Sequence, residues 1–147
     1  MIRDVEDLHA TVTGRLRRID QRYTTGRRAL VEVLAEAGRP VTIGEIVAGG
    51  RVPAQSTAYR NLAVLEQAGV VRRVQGHDEF SRYELAEDLT GHHHHMVCVT
   101  CGAVEDFTMP SGVERNLARV IEAVSAGSGF KPEGHRLDLL GTCAECV

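Results

Sequence analysis

Apolar residues recur every three or four positions from Val5 to Tyr23, at Val5, Leu8, Val12, Leu16 and Ile19, which predicts an amphipathic helix over that span. Thr24-Thr25 then precede Arg27-Arg28-Ala29-Leu30-Val31-Glu32-Val33-Leu34, and Gly38 stands where a helix C-cap would. Thr42 and Glu45 have the spacing of a capping box, opening a short helix through Val47 that Gly49-Gly50 ends. The next helical pattern starts near Pro53 or Ser56, runs through Ala58, Leu62, Leu65 and Ala68, and stops at Gly69. The period then changes to two, in Val70-Val71-Arg72-Arg73-Val74 and in Phe80-Ser81-Arg82-Tyr83-Glu84-Leu85. Between them Gln75-Gly76-His77-Asp78-Glu79 reads as the turn of a β-hairpin.

Helices followed by a polar-faced helix and a basic hairpin give the order of a winged helix-turn-helix. The first exposed turn of the polar-faced helix offers Gln55, Ser56, Thr57, Tyr59, Arg60 and Asn61. Such hydroxyl, amide, aromatic and guanidinium groups can contact phosphates and base edges, and a helix N-terminus itself favours phosphate. The plainer alternative is a small helical domain whose arginines are only solvated.

Charge sharpens the division. The 147 residues are 43% hydrophobic and 25% charged, with a net charge of −3. Residues 1–75 hold 12 arginines against 8 acids, a net of +4, whereas residues 76–147 carry a net of −7. A basic front half suits a polyanion and an acidic back half suits cations. The charged start lacks the apolar core of a secretory signal, and no apolar run approaches the ~20 residues of a membrane span; the cytoplasm is the expected compartment.

The back half contains the strongest chemical signal. All four cysteines fall in two C-x2-C pairs, Cys98/Cys101 and Cys143/Cys146. Two such turns supply four thiolates for a tetrahedral zinc ion, which leaves no open coordination position and makes the ion structural. The competing arrangement, two disulfides, does not suit a cytosolic chain. The long gap between the pairs calls for a helix over residues 111–126, with Val113, Leu117, Val120, Ile121 and Val124 on one side, and a strand from Arg136 to Leu140.

Immediately before the first pair stands His92-His93-His94-His95. In a strand, successive side chains point to opposite faces, so His92 and His94 share one face and His93 and His95 the other. Four consecutive histidines can then serve two metal sites back to back, with Glu84, Glu114 and His135 available as partners. The alternative is a solvated polyhistidine loop with adventitious affinity.

Taken in order, several motifs resemble the ferric uptake regulator family, which includes iron, zinc, manganese, nickel and peroxide sensors. They are Arg22-x-Thr24-x-x-Arg27, Ser56-Thr57-Ala58-Tyr59-Arg60-x-Leu62, Arg82-Tyr83-Glu84-Leu85, the histidine run with Cys98-x-x-Cys101-Gly102, and Cys143-x-x-Cys146. The resemblance implies an α/β (α+β) chain with a winged-helix DNA-binding domain over residues 1–86 and a dimerisation and metal-binding domain over 87–147. It implies a cytoplasmic homodimer that binds palindromic double-stranded operator DNA when loaded with divalent metal, repressing metal-homeostasis genes. Arg22, Thr57, Tyr59 and Arg60 fall on DNA-binding positions. His92, His94, Glu114 and His135 fall on one regulatory metal site. Glu84, His93 and His95 fall on a second, at the hinge, with His77 a candidate fourth ligand. Where other members place further hinge ligands, this chain has Arg39-Pro40 and Arg72, so the sensed metal stays open between Zn2+, Fe2+, Mn2+ and Ni2+.

The rival classes are an enzyme and a metal-storage protein. The chain has no H-x-E with P-C-x-x-C, no H-E-x-x-H and no glycine-rich phosphate loop, and no catalytic residue is expected.

Overall fold

The computed structural model describes residues 4–147. Helix α1 (Val5–Arg18) buries Leu8, Val12 and Leu16 on one face, as its periodicity predicts. It is shorter than that periodicity suggests, ending at Arg18 rather than Tyr23. Asp20 adopts a left-handed φ of 56°, and the Gln21 amide closes the turn on the Leu16 carbonyl at 2.9 Å. The reversal turns Tyr23 back, and its hydroxyl meets His9 Nδ1 at 2.7 Å.

Helix α2 (Thr25–Ala37) is capped by Thr24 and ends at Gly38, whose φ of 60° is costly for a residue with a Cβ. A two-residue strand β1 (Val41–Thr42) leads into α3 (Ile43–Ala48), where Thr42 and Glu45 form the expected reciprocal capping box. Helix α4 (Gln55–Gln67) buries Ala58, Leu62 and Leu65 and turns its polar start outward. The hairpin β2 (Val71–Gln75) and β3 (Ser81–Leu85) completes a three-stranded sheet of order β1-β3-β2. One apolar core, from Leu8 to Leu85, holds these elements together.

A short helix α5 (Glu87–Thr90) leads to a second sheet. Here β4 (His94–Cys98) is flanked by β5 (Val104–Phe107), antiparallel, and β6 (Asp138–Gly141), parallel. Helix α6 (Ser111–Ala126) is the crossover between β5 and β6, with the bounds its pattern predicts. The final strand lies slightly later than the Arg136–Leu140 expectation, because its register is set by pairing Asp138 with His95. No helix among the described residues is long and apolar enough to cross a membrane.

The two sheets meet at the wing. Val74 of β2 packs with Val97 of β4 and Val104 of β5 in a small apolar cluster. Alongside, the buried Arg82 pairs with Asp78 in the hairpin turn, and that turn rests on Gly102 between Cys101 and β5.

Candidate metal centres and nucleic-acid face

The parallel register of β4 with β6 sets Cys98 beside Gly141, so that Cys143, two residues on, reaches the same end of the sheet. The Cys98–Gly102 turn supplies the other pair. All four sulfurs lie within 4.8 Å of one another, and Cys101 Sγ is 3.8 Å from Cys143 Sγ. A zinc tetrahedron with ~2.3 Å arms has edges of about 3.8 Å, so the sulfurs fit that ion; none is in a disulfide. The amides of Cys101 and Cys143 donate to Cys98 Sγ at 3.5 and 3.4 Å. They pull the Cys98 thiol down to about 5, while Cys146, crowded first by Cys143 and then by Cys101, is pushed up to about 12. Four neighbouring sulfurs cannot all ionise without a cation among them.

The histidine run alternates as a strand does. His92, His94, Glu114 and His135 converge on one side. His94 Nε2 lies 2.5 Å from Glu114 Oε1, and His92 Nε2 lies 3.2 Å from His135 Nε2. Glu114 comes from the first turn of α6, and its carboxyl is held below its usual range, first by the bond to His94. His92 Nδ1 meets the Glu87 carboxylate at 2.5 Å, which aims Nε2 inward in the manner of a carboxylate–histidine–metal relay.

On the opposite side, Glu84, His93, His95 and Asp106 converge. Glu84 is the penultimate residue of β3 and comes from the winged-helix half; the other three belong to the second half. Its Oε2 lies 3.2 Å from His93 Nε2, and its Oε1 3.2 Å from His95 Nε2. Asp106 Oδ2 is 3.5 Å from His93 Nε2, while Asp106 Oδ1 is buried with no hydrogen-bond partner. That orphan oxygen lies 3.6 Å from His95 Nε2, and a buried oxygen so placed is what a cation would satisfy. His93 Nδ1 is fixed by the Gly91 carbonyl at 2.9 Å, and His95 Nδ1 faces Asp138 at 3.5 Å.

Electrostatics within this group oppose one another. Burial pushes Glu84 up, but the His95 bond and the Arg72 charge leave it below the usual carboxylate range. Burial and the Glu84 charge raise Asp106. Burial lowers His95, yet Glu84 outweighs it and the net shift is upward.

Two placements differ from the sequence reading. His77 is exposed in the β2–β3 turn and is outside the hinge group. Its place is taken by Asp106, which the sequence reading missed. The signal was the alternation of Val104-Glu105-Asp106-Phe107 after the Gly102 turn: an antiparallel hairpin there puts Asp106 directly opposite His95.

On the far side of the winged-helix half, Gln55, Ser56, Tyr59 and Arg60 are exposed on α4, and Thr57 is half-buried with its hydroxyl accepting from Arg60 at 3.3 Å. Arg22 is exposed in the α1–α2 loop. Arg27, unassigned from sequence, ties that loop to α4: it donates to the Arg22 carbonyl at 2.6 Å and to Asn61 Oδ1 at 3.2 Å.

Comparison with known proteins shows the family. The model of the ferric uptake regulator family matches residues 18–140. The chain is 33% identical over 129 residues to the peroxide operon regulator of Bacillus subtilis, covering 85% of this chain and 83% of that protein. It is 37% identical over 92 residues to the ferric uptake regulation protein of the same organism, covering 62% of this chain and 58% of that protein. The solved ferric uptake regulator of Helicobacter pylori, described as having three functional metal binding sites, superposes with a TM-score of 0.78 over 99% of this chain and 95% of that one, at 23% identity. A zinc-bound manganese uptake regulator superposes at 0.66 over 92% of this chain and 98% of that one, at 27% identity. The chain belongs to the ferric uptake regulator family, whose members regulate transcription and are not enzymes.

Proposed function

We propose that the protein is a homodimeric repressor that binds operator DNA when a divalent metal occupies the hinge group. The observation carrying this reading is that Glu84 sits on the wing strand, whereas His93 immediately precedes β4, His95 is on β4 and Asp106 is on β5. One ion held by all four would tie the winged-helix half to the second half. It would select the geometry in which two recognition helices meet two half-sites, and operator DNA would raise metal affinity by the same factor. In this reading Cys98, Cys101, Cys143 and Cys146 hold a structural zinc. His92, His94, Glu114 and His135 hold a further ion that steadies the second half. Arg22, Thr57, Tyr59 and Arg60 contact DNA.

A second copy of the chain is supported by α6, whose apolar positions Val113, Val120 and Val124 are 47%, 57% and 76% exposed. Leu139 and Leu140 on β6 are exposed too. An unburied apolar helix face and an exposed apolar strand are what a partner surface would cover.

The hinge donors, two imidazoles and two carboxylates, suit Zn2+, Fe2+ or Mn2+ and lack a thiolate. We assign the regulated genes to zinc or iron uptake. A peroxide-sensing role is the second reading, favoured by the similarity to a peroxide operon regulator over 85% of this chain. Titration of promoter DNA with protein that retains its cysteine-bound zinc, with each metal added in turn and with chelator, tests the assignment. Salt-sensitive binding that needs added metal supports a repressor. Metal uptake without any DNA binding would make the protein a store instead.

A further inference from the structure

Arg72 lies directly across β2–β3 from Glu84, on the same face of the hairpin. Its Nε is 2.5 Å from Glu84 Oε1, and one terminal nitrogen is 3.3 Å from His93 Nε2. Those are two of the ligand atoms of the hinge group. A guanidinium carries its charge at any physiological pH, has five donors and no acceptor, and cannot itself ligate a metal. The His93 lone pair that accepts from Arg72 is the one an ion would take.

We propose that Arg72 is a built-in cation that competes with the hinge metal for Glu84 and His93, and thereby sets the metal concentration at which the two halves lock; this rests on reading Glu84, His93, His95 and Asp106 as a metal site. The charge count favours competition over support. Glu84 and Asp106 bring two negative charges into a region where Glu84 is 4% exposed. Arg72 offsets one of them, so metal-free protein holds its two carboxylates together against less repulsion. A divalent ion on the same carboxylates would be neutralised if Arg72 were absent, and must displace a like charge when it is present.

The geometry also gives the arginine somewhere to go. Its side chain is 35% exposed, unlike that of Glu84 at 6%, and a terminal nitrogen already lies 3.9 Å from Glu87 Oε2. Metal entry can displace the guanidinium toward Glu87 and solvent without moving β2. Because Glu87 also bonds His92 Nδ1, the displaced arginine would land on a carboxylate that orients the other histidine site.

Cobalt(II) is a suitable probe, followed by its visible absorption in full-length protein that keeps its cysteine zinc. The hinge signal is the part lost in His93→Ala/His95→Ala. The test compares wild type with the neutral variants Arg72→Gln and Arg72→Met, either of which suffices if it folds, and with Arg72→Lys. The neutral variants should bind hinge cobalt about tenfold more tightly, or better, and Arg72→Lys should stay near wild type. In metal-free protein the neutral variants should also give a larger radius of gyration by X-ray scattering, since two carboxylates then face each other uncompensated. Unchanged or weaker cobalt binding in the neutral variants would overturn the proposal and make Arg72 a support for Glu84. If wild type shows no cobalt signal beyond that of His93→Ala/His95→Ala, the hinge reading itself falls, and this inference with it.

Discussion

Asp78, in the turn of the wing, lies so close to Gly102 that a Cβ on Gly102 would overlap its carboxylate. The wing of one half is thus seated on the cysteine turn of the other, with Arg82 buried beside the contact and bonded to Asp78. Gly102 also has a φ of 77°, which a side chain adopts only under strain. Gly102→Ala should therefore cost about 1–3 kcal/mol in unfolding free energy and weaken operator binding while leaving zinc stoichiometry intact. Asp78→Ala separates the contact from the strain: it should loosen the wing without disturbing the backbone at Gly102. Operator affinity unchanged in both variants would show that wing seating is not needed for DNA binding.

Cys98→Ser should remove the cysteine-bound zinc. Cys98 receives two amides, which hold its thiol well below the usual range, so it anchors the group. Zinc analysis together with size-exclusion chromatography should find a metal-depleted protein that no longer dimerises or has lost its second sheet. A zinc-free protein that stayed folded and dimeric would refute a structural role for the four sulfurs.

Tyr59→Ala and Arg60→Ala should each weaken operator binding, Arg60→Ala by ~1–3 kcal/mol if its guanidinium reads a base edge. A loss that is uniform across DNA sequences, with a shallower salt dependence, would place Arg60 on phosphate instead. Arg27→Ala should have a related effect through position, because it holds the Arg22 loop against α4. Full affinity in the first two variants would move the reading surface off α4.

A pH effect is expected outside the candidate metal groups, at His9. It is buried under α1 against Tyr23, with Arg28 and Glu32 of α2 facing it. Burial and then the Arg28 charge depress its pKa, outweighing the Glu32 carboxylate. The unfolded chain therefore binds this proton more readily than the folded one. Stability from neutral His9 is present above the unfolded value of ~6.5 and is lost as pH falls through the lower folded value. Melting temperature measured against pH should fall more steeply over that window in wild type than in His9→Gln. Parallel curves would mean that His9 does not titrate with folding.

The fold was legible wherever periodicity and caps agreed. The capping box at Thr42 and Glu45, the stop at Gly38 and the bounds of α6 all followed from local chemistry. The first helix was over-extended because the apolar spacing carries through Ile19, whereas its end is set by Asp20 and a bond to Leu16 that no periodic pattern encodes. The separation of the two histidine pairs was readable because strand alternation is a local rule. The fourth member of the hinge group was not, because it depends on which strand lies beside β4. His77 was a sequence neighbour of the wing, whereas Asp106 is a register neighbour of His95. The apolar pattern of α6 likewise predicts a buried face, yet Val113, Val120 and Val124 are exposed, because a periodic pattern does not say which surface covers it.

In the proposed function the hinge group, rather than the second histidine group, is the switch. The measurement is operator binding as a function of metal for wild type, His93→Ala/His95→Ala and His92→Ala/His94→Ala, each checked for its cysteine-bound zinc. Losing His93 and His95 should abolish the metal response while the zinc remains. Losing His92 and His94 should shift the response or weaken the dimer but leave DNA binding metal-dependent. A metal response that survives in His93→Ala/His95→Ala, or that disappears equally in both variants, would contradict it.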